Sequence, residues 1–244
     1  MTRTRAAAIH LSTCAIVAAV LLALFWFVWC PAPLFRAIGG LEIFLMLLVI
    51  DVTLGPLLTF VVFKTGKKTL KFDLAVIGMV QVVALAYGVF TLLIGRPVYV
   101  AALGNHFAVV QANDVEEKEL IVAKKSLSWF GPQWVGSKPA TDEAERERVM
   151  FSGLAGAGYG NFPQYHAPLE SMRDEILKNS VTISELRKRN PAQNAEITDW
   201  LVQHGYTDDG AVYQALTARV QHMSVILDAK TAKVIGIAPF KPRG

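Results

Sequence analysis

Leu41-Glu-Ile-Phe-Leu-Met-Leu-Leu-Val-Ile-Asp-Val-Thr-Leu-Gly-Pro-Leu-Leu-Thr-Phe-Val-Val-Phe63 runs straight into Lys64-Thr-Gly-Lys-Lys-Thr-Leu-Lys71. The apolar run is long enough to cross ~30 Å of hydrocarbon, which takes about 20 residues of helix. The basic loop that follows is too short and too charged to do more than turn the chain back at a membrane surface. Upstream, Ala6 to Trp29 is a second such run, with His10 its single ionisable base. Arg3 and Arg5 ahead of it give it the look of a signal peptide. It exits through Phe-Val-Trp-Cys-Pro-Ala-Pro without a small-x-small cleavage site, and the bulky Trp29 before Cys30 argues against lipoprotein processing, so it reads as an uncleaved anchor. Downstream, Phe72 to Ile94 is the third. Three transmembrane helices are therefore expected, at about 6–29, 41–63 and 72–94.

The charge follows the same division. The chain has 53% hydrophobic residues and a mean hydropathy of +0.38, more apolar than a soluble domain. Up to Arg96 the basic residues exceed the acids by five, and beyond it the acids lead by one, which recovers the net +4. The excess positive charge belongs to Arg3, Arg5, Lys64, Lys67, Lys68 and Lys71, beside the spans, so the pI of about 9.1 gives no ground for nucleic-acid binding. Those six residues put the N-terminus and the 64–71 loop in the cytoplasm, and an odd number of spans puts everything after Arg96 outside. The expectation is a multi-pass protein of a bacterial inner membrane. Residues 1–96 would form the membrane domain and 97–244 a periplasmic α+β domain with an antiparallel sheet. Cys14 and Cys30, sixteen helical residues or roughly 24 Å apart, cannot pair.

In the second part, Val98 to Gln111 alternates around Gly104-Asn105, a hairpin pattern, and Met223–Leu227 with Lys233–Ala238 closes the chain as another. Between them the pattern is helical. Asp142 with Glu145 opens a helix through Leu154, Leu169–Lys178 and Ile183–Arg189 follow, and Glu196–His204 stops at Gly205.

Asp51 is the most informative single residue. A carboxylate in mid-span costs about 2.5–3.5 kcal/mol and usually serves a contact or a function. Gly55-Pro56 interrupts the same helix and leaves the Val52 carbonyl without its donor, so Asp51, Thr53, Gly55 and Pro56 describe a kinked, polar spot. Asp51 lies roughly 18 Å from the cytoplasmic boundary and Gln81 roughly 14 Å, close enough in depth to meet. This spot either fixes helix packing or receives a partner's transmembrane helix; one acid on three helices makes a poor ion pathway. Asp51 and Asp73 differ too much in depth for an aspartyl protease pair. Gly153–Gly160 lacks the Gly-Lys-Ser/Thr ending of a phosphate loop and reads as a connector. The five histidines show no metal-ligand spacing and no Ser-His-Asp set stands together. Trp129, Phe130 and Trp134, around Gly131-Pro132, form either a binding patch or part of the core. No enzyme, metal or cofactor is expected.

Pro31-Ala-Pro-Leu-Phe35, Asp51-Val-Thr-Leu-Gly-Pro-Leu-Leu-Thr59, Gly66-Lys-Lys-Thr-Leu-Lys-Phe-Asp-Leu74 with Gln81, and Gly95-Arg-Pro-Val-Tyr99 occur in that order. With Gly131-Pro132, Phe151, Tyr165 and the Val225–Pro239 hairpin, they make the chain resemble the type IV pilin accessory proteins, the TfpX/TfpZ group of FimB-like fimbrial proteins, over nearly its whole length. The resemblance implies an inner-membrane, chaperone-like helper in fimbrial biogenesis that binds the pilin subunit and modulates pilus assembly or dynamics. Its partners would be pilin, membrane lipid and other pilus assembly proteins, with no nucleic acid. A pilin waits in the membrane as one hydrophobic N-terminal helix with a glutamate near its start, and Asp51, Thr53 and Gln81 would offer it hydrogen bonds. The competing reading is a membrane-anchored periplasmic ligand-binding subunit of a transporter or sensor.

Overall fold

The computed structural model describes residues 2–154 and 156–242. Three helices are long and apolar enough to cross a membrane: Arg3–Trp29, Gly40–Val62 and Leu70–Ile94. They coincide with the expected spans to within a few residues. The first starts earlier because the Thr2 side chain caps it, accepting from the Arg5 amide. Ile16, Val20, Val61, Met79 and Val83 are each more than 60% exposed, a surface that only lipid would solvate. The second span packs against both others. At the loop end, Lys67 pairs with Asp73 at 2.7 Å.

The connector between the first two spans is not a free loop. Its short helix, Leu34–Ala37, buries Leu34 and Ala37 in the same cluster as Val100, Phe107, Leu216 and Met223 of the sheet. Phe35 turns the other way, into a cluster with Phe25, Phe44 and Leu92 at the ends of the spans. The amides of Val220 and Gln221 both donate to the Ala37 carbonyl, at 3.0 and 3.1 Å. A side chain at Gly39, whose φ of +79° suits glycine, would meet Val220. The membrane helices and the sheet thus share one interior rather than being tethered by a linker.

Eight strands form one sheet: β1 Pro97–Ala102, β2 Phe107–Gln111, β3 Gln133–Ser137, β4 His166–Ala167, β5 Val181–Thr182, β6 Ala211–Thr217, β7 Met223–Asp228 and β8 Val234–Ala238. Its order is β4-β3-β1-β2-β6-β7-β8, with β5 also on β6. Both expected hairpins form, β1 with β2 and β7 with β8. The sheet is mixed, however, not antiparallel: β3 lies parallel to β1, and β6 parallel to β2. The physical reason is that β3 and β6 each return after a helical crossover, which delivers a parallel neighbour. Both strands fall in the stretch that reads as helical. In β6, Ala211, Tyr213, Gln214 and Leu216 are all buried, so the two-residue alternation that marks a half-exposed strand is lost.

The helices Glu143–Leu154 and Ile183–Arg189 sit where the capping residues put them, with the Glu145 amide on Asp142 and the Glu185 amide on Thr182. Residues 169–179 split into a 3-10 turn, Leu169–Met172, and a helix, Arg173–Asn179. Asn194–Gln203 places Ile197 and Leu201 against β6 and β8, and Gly205, at φ +76°, ends it. Ala155, inside the glycine-rich run, lies outside the described residues; on either side of it that run connects the helix to a short 3-10 turn, Tyr159–Asn161.

An ion pair with one buried partner, Glu119, joins several elements of this part. Glu119, 3% exposed, takes two hydrogen bonds from the Arg148 guanidinium, at 2.7 and 3.4 Å, and one from Gln164. Arg148 also binds Glu145, which accepts from the Tyr165 hydroxyl. Arg148, then burial and Gln164, leave the Glu119 carboxyl below its usual range on balance, because its charged form is the bonded one.

Candidate functional site

Pro56 has no amide hydrogen, so the helix bond back to Val52 cannot form, and the chain takes one wider π-type turn over Ile50–Leu54. That turn carries Asp51. Gln81 of the third span reaches across and donates to the Asp51 main-chain carbonyl at 3.2 Å; its Nε2 also lies 3.8 Å from Cys14 Sγ of the first span. Gly55 makes room for this reach, since a Cβ there would overlap the Gln81 amide. The expected meeting of Asp51 and Gln81 is therefore present, but through the backbone. One carboxylate oxygen, Asp51 Oδ1, is buried without a hydrogen-bond partner.

Asp51 lines a groove of about 200 Å³ between the first and third spans, floored by the second. His10, Thr13, Cys14, Asp51 and Gln81 are its polar lining; Val17, Leu21, Phe44, Leu48, Val82 and Leu85 make most of the rest apolar. His10 Nδ1 stands 2.6 Å from the hydroxyl of Thr59, which is 3% exposed, and this bond ties the first span to the second below the groove. Gly88 lets Leu47 close the second span onto the third. A volume of this size holds one or two large side chains rather than a whole helix, and in lipid such a gap is filled by acyl chains or by a neighbouring helix.

The expected site residues separate into three groups. Asp51 and Gln81 line the groove; Gly55 and Pro56 are buried behind it and shape it; Thr53 is exposed and does not line it. Trp134 takes the core alternative: partly buried in β3, it packs against the core, edge-on to Phe107 at 5.8 Å between ring centroids. Its strand position fixes this, two residues beyond the Gly131-Pro132 turn. Trp129 and Phe130 stay outside, 59% and 83% exposed. His10 and Cys14 were legible only as polar residues in an apolar run, with nothing to say which face they share. Of the topology residues, Arg3 and Arg5 lie in the first turn of the first helix, Lys71 in the first turn of the third, and Lys64, Lys67 and Lys68 in the loop before it.

In the soluble part, the His166 ring is packed edge-on to Tyr99 at 4.6 Å, its Nε2 donates to the Gly160 carbonyl at 2.8 Å, and its Nδ1 is buried without a partner. Burial holds its pKa down at about 4, so the ring is neutral. Among the described residues no group of three His, Cys, Asp or Glu stands close enough to hold a metal ion.

No family model matches the chain, and no solved structure matches it. It is similar to the fimbrial assembly protein of serogroup I of Dichelobacter nodosus, at 26% identity over 227 residues that cover 90% of this chain and 88% of that protein. The serogroup E1 protein of the same organism gives 25% with the same coverage. The fimbrial assembly protein of serogroups C1 and C2 is 32% identical over 114 residues, 46% of this chain and 87% of that protein.

Proposed function

The chain belongs to the family of fimbrial assembly proteins, and we propose that it serves type IV pilus biogenesis by receiving the hydrophobic N-terminal helix of the pilin subunit in the groove between its first and third spans. Asp51, with one carboxyl oxygen unpartnered, on the wall of a mostly apolar groove carries this reading. Three spans could bury an idle carboxyl by pairing it with Gln81, which already lies beside it. Instead Gln81 bonds the backbone, and the acid is left for something that arrives from outside.

An incoming helix would fill the apolar part of the groove with side chains and offer Asp51 a donor, a backbone or side-chain group exposed near its own end. Such a contact in lipid contributes only about 0.6–1.7 kcal/mol, enough to set the helix's orientation and register while apolar packing does the holding. With the basic residues cytoplasmic and the sheet periplasmic, the pilin head would stand beside the soluble domain. The role asks for no catalysis and no cofactor: it is that of an inner-membrane chaperone-like holder that releases pilin to the growing fibre.

The test compares Asp51→Leu with the wild type in a piliated host. Pilin recovered with the solubilised protein should fall about three- to twentyfold, in proportion to the lost contact, with chain levels maintained. Unchanged pilin recovery and pilus number would refute the role of Asp51.

A further inference from the structure

We propose that the loop 128–132 inserts its Trp129–Phe130 tip into the interfacial layer of the bilayer, so that the soluble domain rests on the lipid surface. Phe130 is 83% exposed and Trp129 59%, while the core behind them is already filled by Trp134 and Phe107. Two rings held outward at this level would be costly in water and are stable at a water–lipid boundary, where an apolar ring and a polar edge are both satisfied.

The height of the tip is set by the exits of two spans. Arg96, two residues beyond the third span, is 7% exposed. Its Nη1 donates to the last-turn carbonyl of Leu93 at 2.8 Å, its Nε and Nη2 donate to the Ser128 carbonyl at 3.4 and 3.3 Å, and its guanidinium lies 5.1 Å from the Trp129 ring centre. On the other side, a Cβ on Gly131 would stand 3.9 Å from the carbonyl oxygen of Val28, at the end of the first span. Next to Val28, Phe27 is itself 80% exposed, in the aromatic exit Trp26–Trp29. A loop bonded to one exit and lying beside the other cannot stand far above the membrane that the spans cross. Its shape is also preset: Ser128 Oγ accepts from the Phe130 amide at 3.1 Å and donates to the Phe130 carbonyl at 3.2 Å, so little freedom is lost on insertion.

The occupant is therefore lipid, argued from continuity with the spans, and the inference is independent of pilin binding. It is tested on the full chain in nanodiscs of phosphatidylethanolamine and phosphatidylglycerol, with Cys14 and Cys30 replaced by alanine and a nitroxide label placed at residue 130. Labels at Val83 on the third span and Val202 on the outer helix of the domain serve as lipid and water references. Collision with oxygen against a soluble nickel chelate should give residue 130 a ratio between those of Val83 and Val202, well above that of Val202, as an interfacial depth requires. A ratio matching Val202 overturns the proposal, as does a label shielded only when pilin is added. A water-like signal at Val83 would overturn the spans themselves. Independently of the cysteine changes, a diazirine phospholipid should label the peptide carrying Trp129 and Phe130 in the unaltered chain several-fold above the peptide carrying Val202; equal labelling contradicts the insertion.

Discussion

Acidifying the medium should loosen the soluble domain through His166. In the folded chain Nε2 donates to Gly160 and Nδ1 is buried without an acceptor, so a second proton would create a charge with nothing to receive it. The pKa is about 4 in place of the usual 6.5, lowered chiefly by burial. Because the unfolded chain takes up the proton and the folded one resists it, the stabilisation is whole above pH 6.5 and is lost as the pH falls toward 4. The full difference is about 3 kcal/mol at ~1.4 kcal/mol per unit, of which about 2 is gone by pH 5. The window between pH 6.5 and 5 belongs to this ring rather than to Glu119, whose contribution begins to fall only below the ordinary carboxylate value of 4.5. Hydrogen exchange of the β1 and β4 amides, on the whole chain in nanodiscs and corrected for intrinsic rates, reads the local stability. His166→Gln should be less stable at pH 7.5 but nearly flat down to pH 5. Parallel slopes for wild type and variant over that range would refute the assignment.

Three further outcomes follow from the packing. Glu119→Gln weakens the pair with Arg148, which keeps some solvent, and should lower stability by about 2 kcal/mol, read as faster exchange in residues 143–154. Trp134→Ala should cost about 3 kcal/mol and Phe130→Ala within about 0.5, because one ring fills the core and the other does not; thermal unfolding in detergent compares them. Gly55→Ala should lower the melting temperature, since its Cβ would stand 2.6 Å from Gln81 Cδ and displace the bond to Asp51. Adding Gln81→Ala should restore part of that loss, and strictly additive effects would contradict the contact.

The spans were legible because lipid demands a long, nearly uncharged run, and the helix starts because capping residues act locally. Asp51 and Gln81 could be brought to one depth by counting, yet counting cannot tell whether a side chain bonds a carboxylate or a carbonyl, and the π turn at Ile50–Leu54 decided that. β3 and β6 escaped notice since strands covered on both faces lose the alternation that identifies them. The burial of Leu34 and Ala37 in the sheet depends on contacts with residues nearly two hundred positions away, such as Met223, and nothing local announces it. Trp134 and Phe130 stand four positions apart, yet one packs on the core from β3 and the other stays exposed in the loop before it, a difference that only the strand's position supplies.

The central claim is that a pilin helix packs side chains into the groove between the first and third spans. A photocrosslinking amino acid at Val82, which lines the groove, is compared with one at Val83, which does not, the two side chains being equally exposed at 64% and 63%. In a piliated host, residue 82 should capture the N-terminal helix of pilin and residue 83 mainly lipid. Equal capture at both positions, or lipid alone at residue 82, would contradict the groove as the pilin site.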